Sequence, residues 1–568
     1  MLQSIRQELV DIIAGLGYKI QSADIVIPPQ EEMGDLALPC FSFARTMGKS
    51  PVEIARELAE KLSTKLPQIV KSVRSSGPYV NFDFDTSQYI KSVISGVLKA
   101  KKNYGKSNSG KGKKLVIEYP SQNTHKEFHV GHVRNACVGN TLVNLYRRAG
   151  YDVFVMNYVN DFGAHVVKCL WGMKKFHKGE VPPANAQKWL GEIYAEASRY
   201  IKENEAEVKP ELDEMLKKLE ARDPELMKLF TETKAWSVSG FAKIAAELNI
   251  QHSDIIYESE VKDEGQKMVD DLLKRGIAKV GEGGAIIVDL SEYDLGIALI
   301  RKSSGAGLYI TSDLALARRK FDKYAPDESI NITGLEQDYY FKQLFKILEL
   351  WGFQGKMTHL SSGLVSRPEG KMSSRLGNVI LYDDLRDEVN SRLVAETKTR
   401  HADWSDDKIN NNAKVLTQAV LKFSMLKHEI SKNFIFDLKE AVSFEGFSAP
   451  YILYAVARLK NLKRKAGLTK KIFPHYGSLT NGAEKKLATM IALWSEVEKD
   501  SFAGYNPSAI TRYVFDLAQT VSEFYNNCPI LKAEVRGVGA ARLKLAEAAE
   551  IVLETALGVL SIGTVEEM

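Results

Sequence analysis

The sequence predicts an α/β protein of several units: a parallel-sheet central domain interrupted by a helical insertion, a small α+β domain before it and an all-α bundle after it. Two stretches of alternating strand and helix pattern carry the central domain. Residues 114–119 form a short apolar run, residues 133–148 hold apolar side chains at helical spacing and stop at Gly150, and residues 151–159 return to a strand pattern. The alternation resumes at residues 284–290 and continues through strands at 308–310 and 330–334 and helices at 313–320 and 339–351. From Asp384 onward only helical spacing remains.

Length and composition bound the classes. A chain of 568 residues exceeds what one core can bury and points to three or four domains. With 44% hydrophobic and 26% charged residues the composition is that of an ordinary globular protein, not a disordered one. Cys40, Cys137, Cys169 and Cys528 lie far apart with no C-x-x-C spacing. That arrangement indicates neither a zinc site nor a disulfide framework, and the expected setting is a reducing cytoplasm. Residues 1–8 are charged from the start, and no run approaches the roughly 18 apolar residues of a membrane span. A net charge of +5 permits a polyanionic partner without demonstrating one.

Taken in order, residues 1–98 open with a helix and close on Tyr79-Val80-Asn81-Phe82-Asp83-Phe84, whose alternation reads as an edge strand of a small mixed sheet. Residues 99–113 form a linker; from Lys99 to Lys114 the chain has seven lysines and no acid among Gly and Ser, a composition suited to a flexible, solvated connection. The central domain spans 114–383, with its helical insertion at about 170–290 read from periodic segments at 184–204, 210–222 and 224–248. A helical connecting region, 384–439, leads to the C-terminal unit, 440–568. There Arg458 to Lys471 holds seven basic residues in fourteen and no acid, next to Tyr451 and Tyr454. Aromatic rings beside cations suit unstacked bases and phosphates, and the plainer alternative is a charged solvent face.

Two motifs stand out. The loop after the first strand ends in His129-Val130-Gly131-His132, which delivers two histidines to the first turn of a helix, on one face, beside unpaired backbone N–H groups and the positive end of the helix dipole. Anions are favoured there, and Gly131 leaves room for a base or ribose to approach the backbone. Alone, the pattern also fits a helix start with two incidental histidines. The second motif, Pro368-Glu369-Gly370-Lys371-Met372-Ser373-Ser374-Arg375-Leu376-Gly377-Asn378, is a glycine-flanked loop with cations and hydroxyls suited to phosphates.

Together the two motifs resemble the HIGH and KMSKS pair of class I aminoacyl-tRNA synthetases, and the surrounding residues resemble the arginyl-tRNA synthetases over essentially the whole chain. The resemblance implies a split Rossmann-type parallel-sheet catalytic domain, an N-terminal tRNA-contacting domain, whose Gly34-Asp35 turn is similar to a signature of that domain, and a C-terminal anticodon-binding bundle beginning near Phe444. It implies ATP-dependent ligation of L-arginine to tRNA(Arg) through an arginyl-adenylate, with Mg2+ accompanying ATP, no protein-bound metal and no membrane partner. A monomer is expected.

Residue by residue, the resemblance assigns arginine binding to Glu118, Ser121, Gln122, Asn123, His132, Tyr309, Asp313 and Gln337. ATP binding falls to His129, Gly131, His132, Lys371 and Ser373, and catalysis to His129, His132, Lys371 and Arg375. Asp313 is the expected two-pronged partner of a guanidinium, with Glu118 as second acid; the alternative for Asp313 is a carboxylate at a helix start. For tRNA the expected residues are Tyr451, Tyr454, Arg458, Lys463 and Arg464. Two departures from the family pattern are visible: Gln122 replaces a proline, and Ser374 stands where the second lysine of KMSKS is usual. Another class I synthetase would not need Asp313 and Glu118 together, and a catalytically silent tRNA-binding protein would not need His129, His132 and Lys371. No G-x-G-x-x-G follows the first strand, which speaks against a nicotinamide dehydrogenase. The helical insertion is not expected to hold an editing site, because arginine's charge permits discrimination in one step.

Overall fold

The computed structural model describes residues 1–368, 380–467 and 472–568. The N-terminal domain comprises α1 (Leu2–Gly15), β1 (Leu36–Pro39), α2 (Phe41–Met47), α3 (Pro51–Leu62), β2 (Val70–Ser76), β3 (Tyr79–Phe84) and α4 (Thr86–Ala100). Helix α3 shows how local sequence sets an element. Ser50 accepts from the Glu53 N–H, Glu53 accepts in return from the Ser50 N–H, Pro51 fills the first helical position, and Ile54, Ala55, Leu58, Ala59 and Leu62 line one buried face. The sheet is antiparallel in the order β1-β3-β2, so residues 79–84 form its central strand and not the edge of a mixed sheet. Asp35 turns inward, accepting from the Phe84 N–H at 2.7 Å and pairing with Lys485 of the C-terminal bundle at 2.6 Å.

The central domain runs through β4 (Lys114–Glu118), α5 (Val130–Arg148), β5 (Asp152–Val159), α6 (Ala164–Phe176), α7 (Ala186–Glu203), α8 (Glu205–Glu220), α9 (Pro224–Glu247), β6 (Asp254–Tyr257) and α10 (Glu258–Lys274). It continues with β7 (Lys279–Val280), β8 (Ile286–Asp289), β9 (Ile297–Arg301), α11 (Tyr309–Tyr324), β10 (Glu328–Gly334), α12 (Asp338–Trp351), β11 (Met357–Ser362) and β12 (Val365–Ser366). Five strands form a parallel sheet in the order β11-β10-β4-β5-β6. Two sequence expectations change here. Strand β6 re-enters the sheet within the span read as insertion, and residues 284–290 contribute β8 to a separate antiparallel sheet, β7-β8-β9, instead of resuming the parallel one. The physical difference is burial: β10 is covered on both faces, whereas β8 alternates buried Ile286 and Val288 with outward Ile287 and Asp289. Residues 309 and 310 likewise begin helix α11 and are not a strand.

The remainder is helical: α13 (Tyr382–Arg400), α14 (Asp406–Leu426), the short β13 (Phe434–Ile435) pairing with β12, α15 (Leu438–Ala441), α16 (Ala449–Ala466), α17 (Gly482–Ala503), α18 (Pro507–Asn527) and α19 (Arg536–Val559). One apolar core runs from α1 and α4 through α5 into α16–α19, so the bundle is packed onto both other domains.

The lysine-rich linker is not a free tether. Arg148, at the end of α5, donates to the Lys102 and Tyr104 carbonyls at 2.8 and 2.7 Å and pairs with Glu498 on α17; the Trp494 indole N–H also donates to the Tyr104 carbonyl, at 3.2 Å. Arg148 and Glu498 are both largely withdrawn from water, and burial pushes the Glu498 carboxyl up against the pull of the guanidinium. Composition reported solvation, but Tyr104 supplies the ring and carbonyl that dock the segment. Arg148→Met is therefore expected to cost about 3–5 kcal/mol by stranding a buried carboxylate, seen as a lower melting temperature, and Arg148→Met/Glu498→Leu should recover most of the loss. Unchanged melting of the single variant would remove the pair from the structural account.

Candidate active site

The carboxyl ends of β4, β5, β10 and β11 open onto a cavity of about 550 Å³. It lies where strand order reverses between β4 and β10, the position at which parallel α/β sheets bind ligands. The loop after β4 reaches it through paired backbone: the Thr124 N–H donates to the Asn160 carbonyl at 2.9 Å and the Asn160 N–H to the Gln122 carbonyl at 3.1 Å. His125 pins that loop to helix α9 of the insertion, with ring nitrogens 2.9 and 2.8 Å from the hydroxyls of Thr124 and Thr233, and burial pushes its pKa down to about 3.

His129 caps α5 and His132 lies in its first turn, their rings stacked at 3.7 Å between centroids. A Cβ on Gly131 would sit 3.1 Å from the His129 ring, so the glycine makes room for the stack as well as for a ligand. The backbone N–H of His129 donates to Nδ1 of His132 at 3.2 Å. An accepting Nδ1 carries no proton, so neutral His132 has its proton on Nε2 and offers it as a donor. Burial pushes His129 down to about 4 and His132 well below the usual range, with Lys126 adding repulsion. Both are neutral at pH 7: donors of hydrogen bonds, not of charge. Beside them, the Val130 N–H donates to the Ile380 carbonyl and the Tyr382 N–H to the Phe128 carbonyl, both at 2.9 Å, which holds the start of α13 against the histidine turn.

The other end of the cavity is acidic. Asp313 is in the second turn of α11, not at its cap: Leu308 is the N-cap, and its N–H is satisfied by the Thr311 hydroxyl at 2.9 Å. Gly265 on α10 faces the Thr311 carbonyl so closely that a Cβ would overlap it, which brings the start of α11 beside Glu258 at the start of α10. Asp161 fixes that start by accepting from the Ser259 N–H and hydroxyl at 2.9 and 2.7 Å, and pairs with Lys234. Asp313 accepts a hydrogen bond from the Tyr340 hydroxyl. Burial, with the charge of Glu118, pushes its carboxyl up to about 7; burial and Asp313 push Glu258 up to about 8. One oxygen of Glu258 is buried without a partner among the described residues. Glu258 does not line the cavity but lies behind Asp313, so a monocation entering here would meet Asp313, an acid with no ion-pair partner among the described residues.

Of the residues expected from sequence, Glu118, Ser121, Asn123, His129, Gly131, His132, Tyr309, Asp313 and Gln337 all line this cavity, across more than 200 positions of chain. Gln122 does not; its side chain faces a smaller void with Phe128, Asn157 and Phe241. Glu118 lines the cavity but is not free, since its Oε2 accepts from the buried Lys320 ammonium at 2.8 Å. Lys371, Ser373 and Arg375 lie outside the described residues. On the bundle, Tyr454 is exposed and Tyr451 is half-buried against Phe515. Arg458 lies over the rings of Tyr454 and Tyr525 at 4.8 and 4.9 Å. Lys463 is paired with Glu550 at 3.0 Å, and Arg464 with Glu567.

Sequence reasoning missed Lys126, Glu258, Lys320 and Tyr340. Lys126 was legible, three residues before His129 in the loop after the first strand. Lys320 was signalled only by its spacing, two helical turns after Asp313 and on the same face. Among the described residues no cluster of three or more His, Cys, Asp or Glu could hold a metal ion, and no helix is long and apolar enough to cross a membrane.

Comparison with known proteins bears on this geometry. Residues 93–438 match the model for the class I (R) tRNA synthetase catalytic domain, residues 1–84 that for the arginyl tRNA synthetase N terminal domain, and residues 452–568 that for the DALR anticodon binding domain. The chain is 34% identical to the arginine–tRNA ligase of Clostridium acetobutylicum over 99% of its own length and 98% of the relative's. Against the enzyme of Bdellovibrio bacteriovorus the figures are 31%, 96% and 94%. Its fold is similar to that of the Thermus thermophilus arginyl-tRNA synthetase, with a TM-score of 0.83 at 23% identity over the full length of both chains.

The acidic end yields a pH prediction. A guanidinium favours ionised carboxylates, so affinity for L-arginine should rise with pH as Asp313, at about 7, and Glu258 behind it, at about 8, give up their protons. Below pH 7 binding should weaken by at least about tenfold per pH unit. Calorimetric titration between pH 6 and 8.5 measures this, and a flat profile would place the cation elsewhere.

Proposed function

The chain belongs to the arginyl-tRNA synthetase family, and from that premise we infer the division of labour in the reaction it carries out, the ATP-dependent ligation of L-arginine to tRNA(Arg) through an arginyl-adenylate, with release of AMP and pyrophosphate. The observation that carries the reading is a single cavity lined both by neutral histidine donors and by a buried acid, Asp313, that has no ion-pair partner among the described residues. In this reading the guanidinium sits against Asp313, with Glu258 behind that carboxylate and Tyr309 beside it, and Asn123, Ser121 and Gln337 hold the amino and carboxylate end. The Ser121 hydroxyl, buried and without a partner in the described structure, is suited to that role.

The arginine carboxylate attacks the α-phosphorus of ATP and pyrophosphate leaves, so no protein nucleophile is needed and catalysis is positioning plus stabilisation of developing negative charge. His132 Nε2–H and the His129 ring donate to the phosphate oxygens. Lys126 supplies a fixed cation at that end, and Lys371, Arg375 and Ser373 are assigned to the β- and γ-phosphates. Mg2+ enters as part of the ATP substrate. The bundle reads the anticodon through the Tyr454–Arg458–Tyr525 platform, whose rings and planar guanidinium suit base stacking. Lys463 and Arg464 reach tRNA phosphates by exchanging their carboxylate partners, and the N-terminal domain contacts the tRNA body.

The decisive assay charges total tRNA with each of the twenty amino acids; a product other than arginyl-tRNA, or none, would overturn the reading. Within it, Asp313→Asn preserves shape and removes the counter-charge. It is expected to cost about 3–5 kcal/mol, a loss of roughly a hundredfold to several thousandfold in arginine kcat/KM, with KM for ATP and tRNA barely changed. A loss below about threefold would sink the guanidinium assignment. Arg458→Ala should raise KM for tRNA by about tenfold, the scale of one lost stacking contact, with KM for arginine unchanged. An unchanged tRNA KM would move the anticodon contact elsewhere on the bundle.

A further inference from the structure

Lys320 is a buried cation of the cavity floor whose presence the reaction does not explain. It is 1% exposed, donates to Glu118 Oε2 at 2.8 Å and stands 3.4 Å from the Asn331 side-chain oxygen, so its ammonium is closed off between α11, β4 and β10 at the point where strand order reverses. A buried ion pair is a poor way to gain stability, because desolvating two charges offsets their attraction and apolar side chains of similar size fill such a space at least as well. The pair nonetheless lines the ligand cavity, two helical turns from Asp313 on the same helix face.

We propose that Lys320 is a positioning residue for arginine recognition: its ammonium takes up the charge of Glu118 and thereby leaves Asp313, with Glu258 behind it, as the acidic end that a guanidinium must neutralise. This rests on the guanidinium seat described above. The groups facing Asp313 are Tyr340 from α12, Glu118 from β4, Tyr158 from β5, Glu258 from α10, and Tyr309 and Lys320 from its own helix. Two of them act on its ionisation in opposite directions: Glu118 raises it and Lys320 lowers it. Paired at 2.8 Å they largely cancel, and Asp313 is spared a second negative charge across the cavity. One oxygen of Glu118 is in turn committed to Lys320.

The consequence is a shift in the pH at which arginine recognition is lost. Without Lys320, the unopposed charge of Glu118 raises Asp313, so arginine KM should begin to climb at a higher pH than in the unaltered enzyme. Glu118→Gln leaves Lys320 unopposed and should move that point down.

The test is arginine KM in tRNA charging by the full chain, from pH 6 to 9, for the unaltered enzyme and for Lys320→Met, Lys320→Arg, Glu118→Gln and Lys320→Met/Glu118→Gln. Lys320→Met should raise KM by about fivefold at pH 7 and nearly tenfold at pH 6, equivalent to a shift of about one pH unit, with the ratio to the unaltered enzyme falling toward one at pH 9 and kcat at saturating arginine within about threefold. Lys320→Arg should keep the original profile, Glu118→Gln should shift it the other way, and the double variant should fall between. A merely structural lysine predicts a KM or melting change that is the same at every pH, and that outcome overturns the proposal. If Lys320→Met fails to fold, Glu118→Gln decides: no downward shift refutes it. Asp313→Asn separates the two levels. Should that variant leave arginine KM unchanged, the guanidinium seat itself fails; should it raise KM while the Lys320 and Glu118 variants shift nothing, only the role of Lys320 fails.

Discussion

Helix α5 is fixed from every side, and the position of the histidine pair depends on that. Fifteen of its nineteen residues are buried, which makes it an interior helix and not a surface one. Its polar residues are spent on neighbours. Arg134 donates to the Gly363 and Glu429 carbonyls at 2.7 and 2.9 Å; Asn140 donates to the Asn249 carbonyl and the Ser561 hydroxyl at 3.1 and 2.7 Å; Asn144 donates to the Val559 carbonyl at 3.0 Å. Arg148 closes the far end against Glu498. The insertion, the segment after β11 and the end of the bundle are therefore all hydrogen-bonded to the helix that presents His129 and His132. Donors that must meet charge developing on a phosphate are effective only when their direction is set in advance, and a helix with no free face has its direction set.

The same burial acts on charge in two senses. It depresses the histidines, which stay neutral, and raises Asp313 and Glu258, which hold protons more readily than exposed acids. The histidines therefore bring no charge to the cavity, and Asp313 brings less than an exposed carboxylate would. A ligand that brings a cation to one end and phosphates to the other restores the charge each end lacks, and a ligand with only one of these leaves the opposite end uncompensated.

The domains are coupled by the same means as the site. Asp35–Lys485 and Arg6–Glu496, each at 2.6 Å, tie the N-terminal domain to the bundle, and Tyr104 is held between Arg148 and Trp494. A polynucleotide lying across the N-terminal domain and the bundle would therefore bear on surfaces joined through α17 to the end of α5.

The local pattern of the chain was enough to place β4, α5, β5, β10 and α12, the histidine turn and the family, because helical and strand periodicity and a four-residue motif are properties of neighbouring residues. It went wrong where two structures share one local pattern. Residues 284–290 have strand periodicity whether they join the parallel sheet or a separate one, and residues 99–113 have a linker's composition whether or not Tyr104 is docked. Charge was the least legible quantity. The basic run from Arg458 reads as free cations, yet Lys463 meets Glu550 and Arg464 meets Glu567 from the far end of the chain. Glu118 reads as an available acid, yet Lys320 holds it from 202 residues away, and Arg148 and Glu498 are 350 apart. The sequence by itself determined most of the elements that flank the site and which chemistry the chain belongs to. Only the tertiary structure decided which charges remain unpaired, because ionic pairing falls off with distance through space and carries no periodicity along the chain.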